Sequence, residues 1–169
     1  MKFLIAIFSC CLLYSGESLT FTELNEESLR LEITNLVNEI RSSKKLEKLS
    51  FNDTLRKAAQ HHSDYIAKYD KLTHYERGSK YRTPKDRVKS YGGSVFGTVG
   101  ENVLFTTLNH SSYTQKEIKL LAQEAVDLWK ASPGHYKTMI YKDLSFADIG
   151  IAIHHPKKRI YITQVFGEK

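Results

Sequence analysis

Cysteine is nearly absent from this chain: its 169 residues hold two, adjacent at Cys10 and Cys11. Everything beyond position 11 can use neither a disulfide, nor a thiolate zinc site, nor a cysteine nucleophile, which removes several enzyme classes at once. Proline, with three residues, and glycine, with nine, are too scarce for a collagen-like or low-complexity chain. The one glycine-rich stretch, Gly92, Gly93, Gly97 and Gly100, is not followed by Lys-Ser/Thr, so it reads as a turn and not as a phosphate cradle. No internal repeat is present. What the chain does have is 41% apolar, 11% aromatic and 26% charged residues, enough to bury one core and far from a disordered composition. A single domain over residues 19–169 is expected.

Long apolar runs are missing as well, with one exception at residues 3–14, behind Lys2. That run is too short to cross a bilayer core of about 30 Å as a helix, and it has the length of a secretory h-region followed by small and polar residues. Residues 1–18 are therefore expected to be a signal peptide, removed on export, and its loss leaves the mature protein without cysteine. A competing reading takes Ile7, Phe8, Ser9 and Cys10 as a bacterial lipoprotein signal, with Cys10 or Cys11 acylated and the protein anchored to a membrane. Leu12, Leu13 and Tyr14 continue the apolar run past that point and favour the secreted form.

Charge is unevenly placed. The formal net charge is +6, yet residues 17–40 carry six acidic groups and one basic, whereas residues 41–90 carry fourteen basic and six acidic. Lysines and arginines on helix exteriors need no partner. Attraction to anionic surfaces or polyanionic glycans is the sharper reading of the stretch 41–90. No nucleic-acid-binding motif accompanies it, so nucleic acid is not an expected partner.

Helical periodicity dominates the chain. Asn25 caps a helix with Leu29, Ile33, Leu36, Val37 and Ile40 on one face, ending near 42, and Asn52 caps a second with Leu55, Ala58, Ala59, His62, Ile66 and Tyr69 as its stripe. Thr83 and Pro84 start a short helix to about 90. Thr114 and Glu117 form a capping box before Ile118, Leu121, Ala122, Ala125, Leu128 and Trp129. Ser132 and Pro133 end that helix and cap another to about 140. The period then changes to two, with strands around 149–153 and 160–166 joined by a turn at 156–158, and a further strand at 103–106. This is an α+β layered fold with a small, mainly antiparallel sheet.

Three segments at element ends carry polar groups suited to chemistry: Leu72, Thr73 and His74; Gly100, Glu101 and Asn102; and Ser132, Pro133, Gly134 and His135. Two imidazoles and a carboxylate can ligate a metal or exchange protons near neutrality. Spacing alone decides nothing between those uses and ordinary hydrogen bonding. Ser132, ahead of Pro133, is better explained as a helix cap than as a nucleophile. His62 lies on an apolar stripe and reads as a satisfied core histidine. Trp129 reads as core, while His61, His110, His154 and His155 have no partner that spacing suggests.

These segments resemble the CAP or SCP-like family of cysteine-rich secretory, antigen 5 and pathogenesis-related proteins, in its bacterial form. The resemblance runs from about Asn35 to Gly167. It includes Val37 to Arg41 and Leu49, then Leu55, Ala58, Ala59, His62, His74, Arg87 and Tyr91. GEN at 100–102, DLWKASPGH at 127–135, IGIAI at 149–153 and TQVFG at 163–167 complete it. It implies a three-layer α/β/α sandwich and a cleft with the family's His, Glu, Glu, His tetrad. His74, Glu101 and His135 match three members, and Ser132 stands where the second Glu belongs.

The resemblance further implies His74 and His135 as metal ligands, with Ser132 and Asn102 beside them in the cleft and reversible binding of a divalent cation such as zinc in place of an obligatory cofactor. Asn102 is expected to fix the loop that presents Glu101. The function this favours is an extracellular binding module for a lipid, glycan or protein. One alternative is a metal-assisted hydrolase with Glu101 as base. Another is an envelope-polymer-binding protein that uses the basic stretch 41–90.

Overall fold

The computed structural model describes residues 24–110 and 112–168. The expected leader, with Cys10 and Cys11, lies outside the described residues. Five helices and three strands follow one another as α1 (Glu26–Ser43), α2 (Asp53–Tyr69), α3 (Pro84–Ser90), β1 (Thr98–Thr107), α4 (Gln115–Ala131), α5 (Pro133–Met139), β2 (Phe146–His154) and β3 (Arg159–Glu168). The caps explain the helix starts. Asn25 accepts from the Ser28 amide, Asn52 from those of Thr54 and Leu55, and Thr83 and Thr114 each close a capping box, with Asp86 and Glu117. A short 3-10 turn at His155–Lys157, with Lys158 in the left-handed region, links β2 to β3. Among the described residues no helix is long and apolar enough to cross a membrane.

The sheet is antiparallel in the order β1-β3-β2, with Asn102 opposite Gln164 and Gln164 opposite Ile149. Because side chains alternate along a strand, β3 feeds two cores. Ile160, Ile162 and Phe166 join Leu29, Ile33, Val37, Ala122, Ala125 and Trp129 from α1 and α4. Tyr161 and Val165 face the other way, toward Ile66 and Leu55 of α2. The result is the three-layer α/β/α sandwich with α2 on one face of the sheet and α1 and α4 on the other.

The layers approach closely where side chains vanish. A Cβ on Gly150 would stand 2.2 Å from the Gln60 amide nitrogen and 2.4 Å from the Ala59 carbonyl oxygen, so only glycine lets α2 rest on β2. Gln60 uses that closeness: its side-chain amide donates to the Ile151 carbonyl (2.6 Å) and accepts from the Ile151 amide (3.0 Å), which pairs part of the open edge of β2. Buried Arg41 ties the end of α1 to the segment before β2 by donating to the carbonyls of Glu47, Met139, Tyr141 and Leu144. Arg30 of α1 forms a two-pronged pair with buried Asp148 of β2, at 2.6 and 3.0 Å.

Candidate functional site

Three chain segments that are distant in sequence meet at one end of the sandwich. The loop after α2 supplies His74, the start of β1 supplies Glu101, and the first turn of α5 supplies His135. His74 Nδ1 donates to Glu101 Oε1 at 2.9 Å, and the rings of His74 and His135 lie 6.3 Å apart, centroid to centroid, at 57°. The His74 side chain is 42% exposed and that of Glu101 only 1%. The site therefore presents the His74 imidazole to solvent above a buried carboxylate. Burial, reinforced by the neighbouring His74, pulls the His135 imidazole below its usual titration range, which favours the neutral, ligating form.

Arg87 of α3 is the organiser beneath. Fully buried, it donates to Glu101 Oε2 at 2.5 Å, to the His74 carbonyl through both terminal nitrogens (3.3 and 3.2 Å) and to the Tyr81 carbonyl at 3.1 Å. One guanidinium thus fixes both the carboxylate and the backbone of the histidine that the carboxylate orients. Asn102 is also fully buried, and its Nδ2 donates to the His135 carbonyl at 3.1 Å. It ties β1 to α5, where the expectation was that it would fix the loop presenting Glu101.

Below this layer lies a second set of ionisable groups. Buried Glu76 faces His62 Nδ1 at 2.8 Å and His61 Nε2 at 3.0 Å, and Arg87 approaches it at 3.5 Å. His62 Nε2 donates to the Thr73 carbonyl at 2.7 Å. Both ring nitrogens of His62 face oxygen atoms, one of Glu76 and the other of the Thr73 carbonyl. His61 lies between Glu76 and the Tyr91 hydroxyl, 3.0 Å from each. The buried Arg87 guanidinium pairs with Glu101 and stands beside Glu76, so neither carboxylate is buried without a basic neighbour.

His62 is thus the satisfied core histidine that its stripe implied, and Trp129 is core. His61 and His154, which spacing left without partners, bond to Glu76 with Tyr91 and to the Ala67 carbonyl, respectively. His110 stands 3.6 Å from Glu117. Ser132 occupies the N-cap position of α5, but its side chain makes no capping bond, and its carbonyl alone starts the turn by accepting from the Tyr136 amide at 2.9 Å. Glu76 is the site residue that sequence reasoning missed. Its one signal is a carboxylate two positions past His74, which carries weight only once α2 is known to bring His61 and His62 alongside.

Among the described residues no group of three or more His, Cys, Asp or Glu side chains is arranged to hold a metal. Glu101 is buried with its oxygens bonded to His74 and Arg87, so it backs His74 from the protein side. That leaves His74 and His135. Metal–nitrogen bonds of about 2 Å from two imidazoles to one ion at tetrahedral angles put the ring centroids roughly 5 to 5.5 Å apart, so the rings, at 6.3 Å, need to close by about 1 Å to share an ion. The donor set fits a labile site completed by water.

Comparison with known proteins agrees with this architecture. The sequence profile of the cysteine-rich secretory protein family, CAP, matches residues 34–166. No curated protein sequence matches significantly. Among solved structures, an extracellular SCP-domain protein from Bacillus anthracis superposes with a TM-score of 0.65 at 23% identity, over 85% of this chain and 41% of that one. The chain therefore spans about two fifths of that protein's length. An outer surface protein from Borrelia burgdorferi gives 0.68 at 21% identity, over 85% of this chain and 94% of that one. NaASP2, solved with Zn2+, gives 0.53 at 13% identity, over 83% and 79%. At these identities the likeness carries the fold alone. The profile, however, spans most of the sequence, and although nothing after Cys11 is a cysteine, the chain belongs to the CAP, or cysteine-rich secretory protein, family.

Proposed function

We propose that this CAP domain works outside the cytoplasm as a binding module whose His74–His135 cleft takes up a divalent cation such as zinc reversibly. The observation that carries this reading is the pair of imidazoles at 6.3 Å, one of them oriented by a buried carboxylate through Nδ1. A carboxylate on the far nitrogen of a ligating histidine fixes its tautomer and raises its basicity. Two protein ligands fall short of the three usual in catalytic zinc sites and the four usual in structural ones, which fits exchangeable binding. A cation there would supply Lewis acidity toward an oxygen of a bound partner. The extracellular and outer-surface descriptions of the Bacillus and Borrelia structures, and the zinc in NaASP2, support the same reading.

The chain's own groups favour binding over hydrolysis. A general base must reach its water, and Glu101, 1% exposed, accepts from His74 on one oxygen and from Arg87 on the other, which leaves it little open surface. Calorimetric titration with ZnCl2 tests the proposal. Wild type should bind, and His74→Ala/His135→Ala should lose at least tenfold in affinity while keeping its circular dichroism spectrum. Unchanged zinc affinity in the double variant would refute it.

A further inference from the structure

The loop that delivers His74 to the cleft turns its next residues the other way, into a separate pocket of about 320 Å3 between the end of α2 and residues 71–77. Tyr65, Tyr69, Lys71, Thr73, Tyr75 and Arg77 line it, together with Glu76, whose carboxylate is turned inward to His61 and His62. A volume at the lower end of small-ligand sites and a lining of three phenol rings and two cations define its chemistry.

The walls differ in rigidity. The Tyr65 ring lies parallel to that of buried His62, 6.2 Å away and within 9°, and the Tyr65 hydroxyl accepts from the Arg77 amide at 3.1 Å, so both ends of that ring are held. Tyr69 meets Tyr65 at 4.8 Å and 56° and is 50% exposed, while Tyr75 is 62% exposed. Two large, half-open aromatic rings around one pocket leave apolar surface in water, which marks a contact surface when it is rimmed by charge.

That charge is basic and uncompensated. The Lys68 ammonium and the Arg77 guanidinium lie 5.4 and 5.9 Å from the Tyr69 ring centroid. Among the described residues no carboxylate pairs with Lys68, Lys71 or Arg77. The two acidic groups nearby are already committed: Glu76 to His61 and His62, Asp70 to Lys157, Arg159 and Tyr161. A cation would find no free carboxylate here. An anion finds the unpaired Lys71 and Arg77 in the pocket wall, with Lys68 on the neighbouring Tyr69 ring.

We infer that this pocket binds an anionic sugar, a uronate or sulfated residue of a polysaccharide. The sugar's C–H face lies on the Tyr69 and Tyr75 rings, its hydroxyls meet the phenol oxygens and Thr73, and its acid group pairs with Lys71 and Arg77. Tyrosine supplies an apolar face and a polar tip together, which matches a pyranose, and charge-assisted bonds to the acid group give the selectivity. A single-stranded nucleic acid shares the charge requirement but stacks its bases flat on aromatic faces, whereas Tyr65 and Tyr69 are tilted against each other. The inference uses none of the cleft's ligands, so it stands or falls independently of the cation reading.

The test is a titration of the full-length exported protein with heparin tetrasaccharide, hyaluronan tetrasaccharide, uncharged chitotetraose and a dT4 oligonucleotide, in 50 and 200 mM NaCl. One or both anionic sugars should bind and weaken with salt, while chitotetraose and dT4 bind at least tenfold more weakly. The two anionic sugars separate sulfate from carboxylate recognition. Lys71→Ala/Arg77→Ala should lose at least tenfold, and Tyr69→Ala/Tyr75→Ala at least fivefold. Lys44→Ala/Lys45→Ala, at the exposed end of α1, should change affinity less than twofold. All of these side chains are exposed, so thermal melting should confirm that the variants fold. Equal losses in the Lys44/Lys45 variant, no loss in the tyrosine variant, or dT4 binding as tight as the sugars would overturn the inference. Zinc titration of the Lys71/Arg77 variant should be unchanged, which separates this site from the cleft.

Discussion

Replacing Glu101 with Gln is an isosteric change that tests stability and cleft chemistry together. The carboxylate accepts from His74 Nδ1 on one oxygen, at 2.9 Å, and from Arg87 on the other, at 2.5 Å. An amide offers one acceptor and one donor, so whichever way it turns its NH2 meets a donor. Arg87 cannot give up a proton, so the amide oxygen goes to Arg87 and the NH2 to His74. That forces the His74 proton from Nδ1 to Nε2, the nitrogen left for a cation. Breaking a buried ion pair from one side costs about 3–5 kcal/mol, and the hydrogen bond kept by the amide oxygen places this case near about 3 kcal/mol. For a domain of this size each kcal/mol moves the melting point by about 2–4 °C, so Glu101→Gln should melt roughly 6–12 °C lower. Zinc affinity should drop about 10- to 100-fold, the usual consequence of losing a histidine's supporting carboxylate. Scanning calorimetry and zinc titration read both. A loss under about 1 kcal/mol, or zinc affinity within twofold of wild type, would refute the argument that Glu101 neutralises Arg87 and orients His74.

Gly150→Ala should destabilise by about 1–3 kcal/mol or prevent folding, since the new methyl meets helix backbone that cannot turn aside, and urea unfolding measures it. Lys157, Tyr161 and Arg159 hold the Asp70 carboxyl below the usual carboxylate range. A depressed folded pKa contributes stability that is present above the unfolded value of about 3.9 and lost as pH falls below it. The stability gap between wild type and Asp70→Asn should accordingly be constant above about pH 5 and shrink through pH 4 to 2; a gap independent of pH would count against it. The neighbouring Tyr161 hydroxyl, pushed up to about 12 by burial and by Asp70, stays protonated across that range and keeps donating. For export, mass spectrometry of the secreted protein should show the mature chain beginning near residue 19. An intact Met1 would reject processing, and an acylated Cys10 or Cys11 would assign the protein to a membrane anchor.

The parts of this molecule legible in its sequence are those in which the chain reports its own surroundings. Asn25, Asn52 and Thr114 announce helix starts because a cap acts within three residues, and the isoleucines at 149, 151 and 153 announce a strand because alternation is local. β1 starts at Thr98, five residues before the expected 103, and Gly100, Glu101 and Asn102 hide that start by breaking the apolar alternation. Glu101 is polar because it meets Arg87 and His74, and Asn102 because it bonds the His135 carbonyl. His74, Glu101 and His135 were legible as candidates through a family pattern and not through spacing. The charge balance under the cleft was legible by neither route. Glu76 sits in a loop whose neighbours Tyr75 and Arg77 are exposed, so its letter suggests a solvated carboxylate. It is buried because His61 and His62 come across from α2 and Arg87 from α3, which closes the loop over it. A buried charge is defined by what neutralises it, and here each neutralising group lies eleven or more residues away on another element. The same convergence gives the site its rigidity: moving His74 would disturb the guanidinium that holds its carbonyl, and with it the carboxylate that orients its ring.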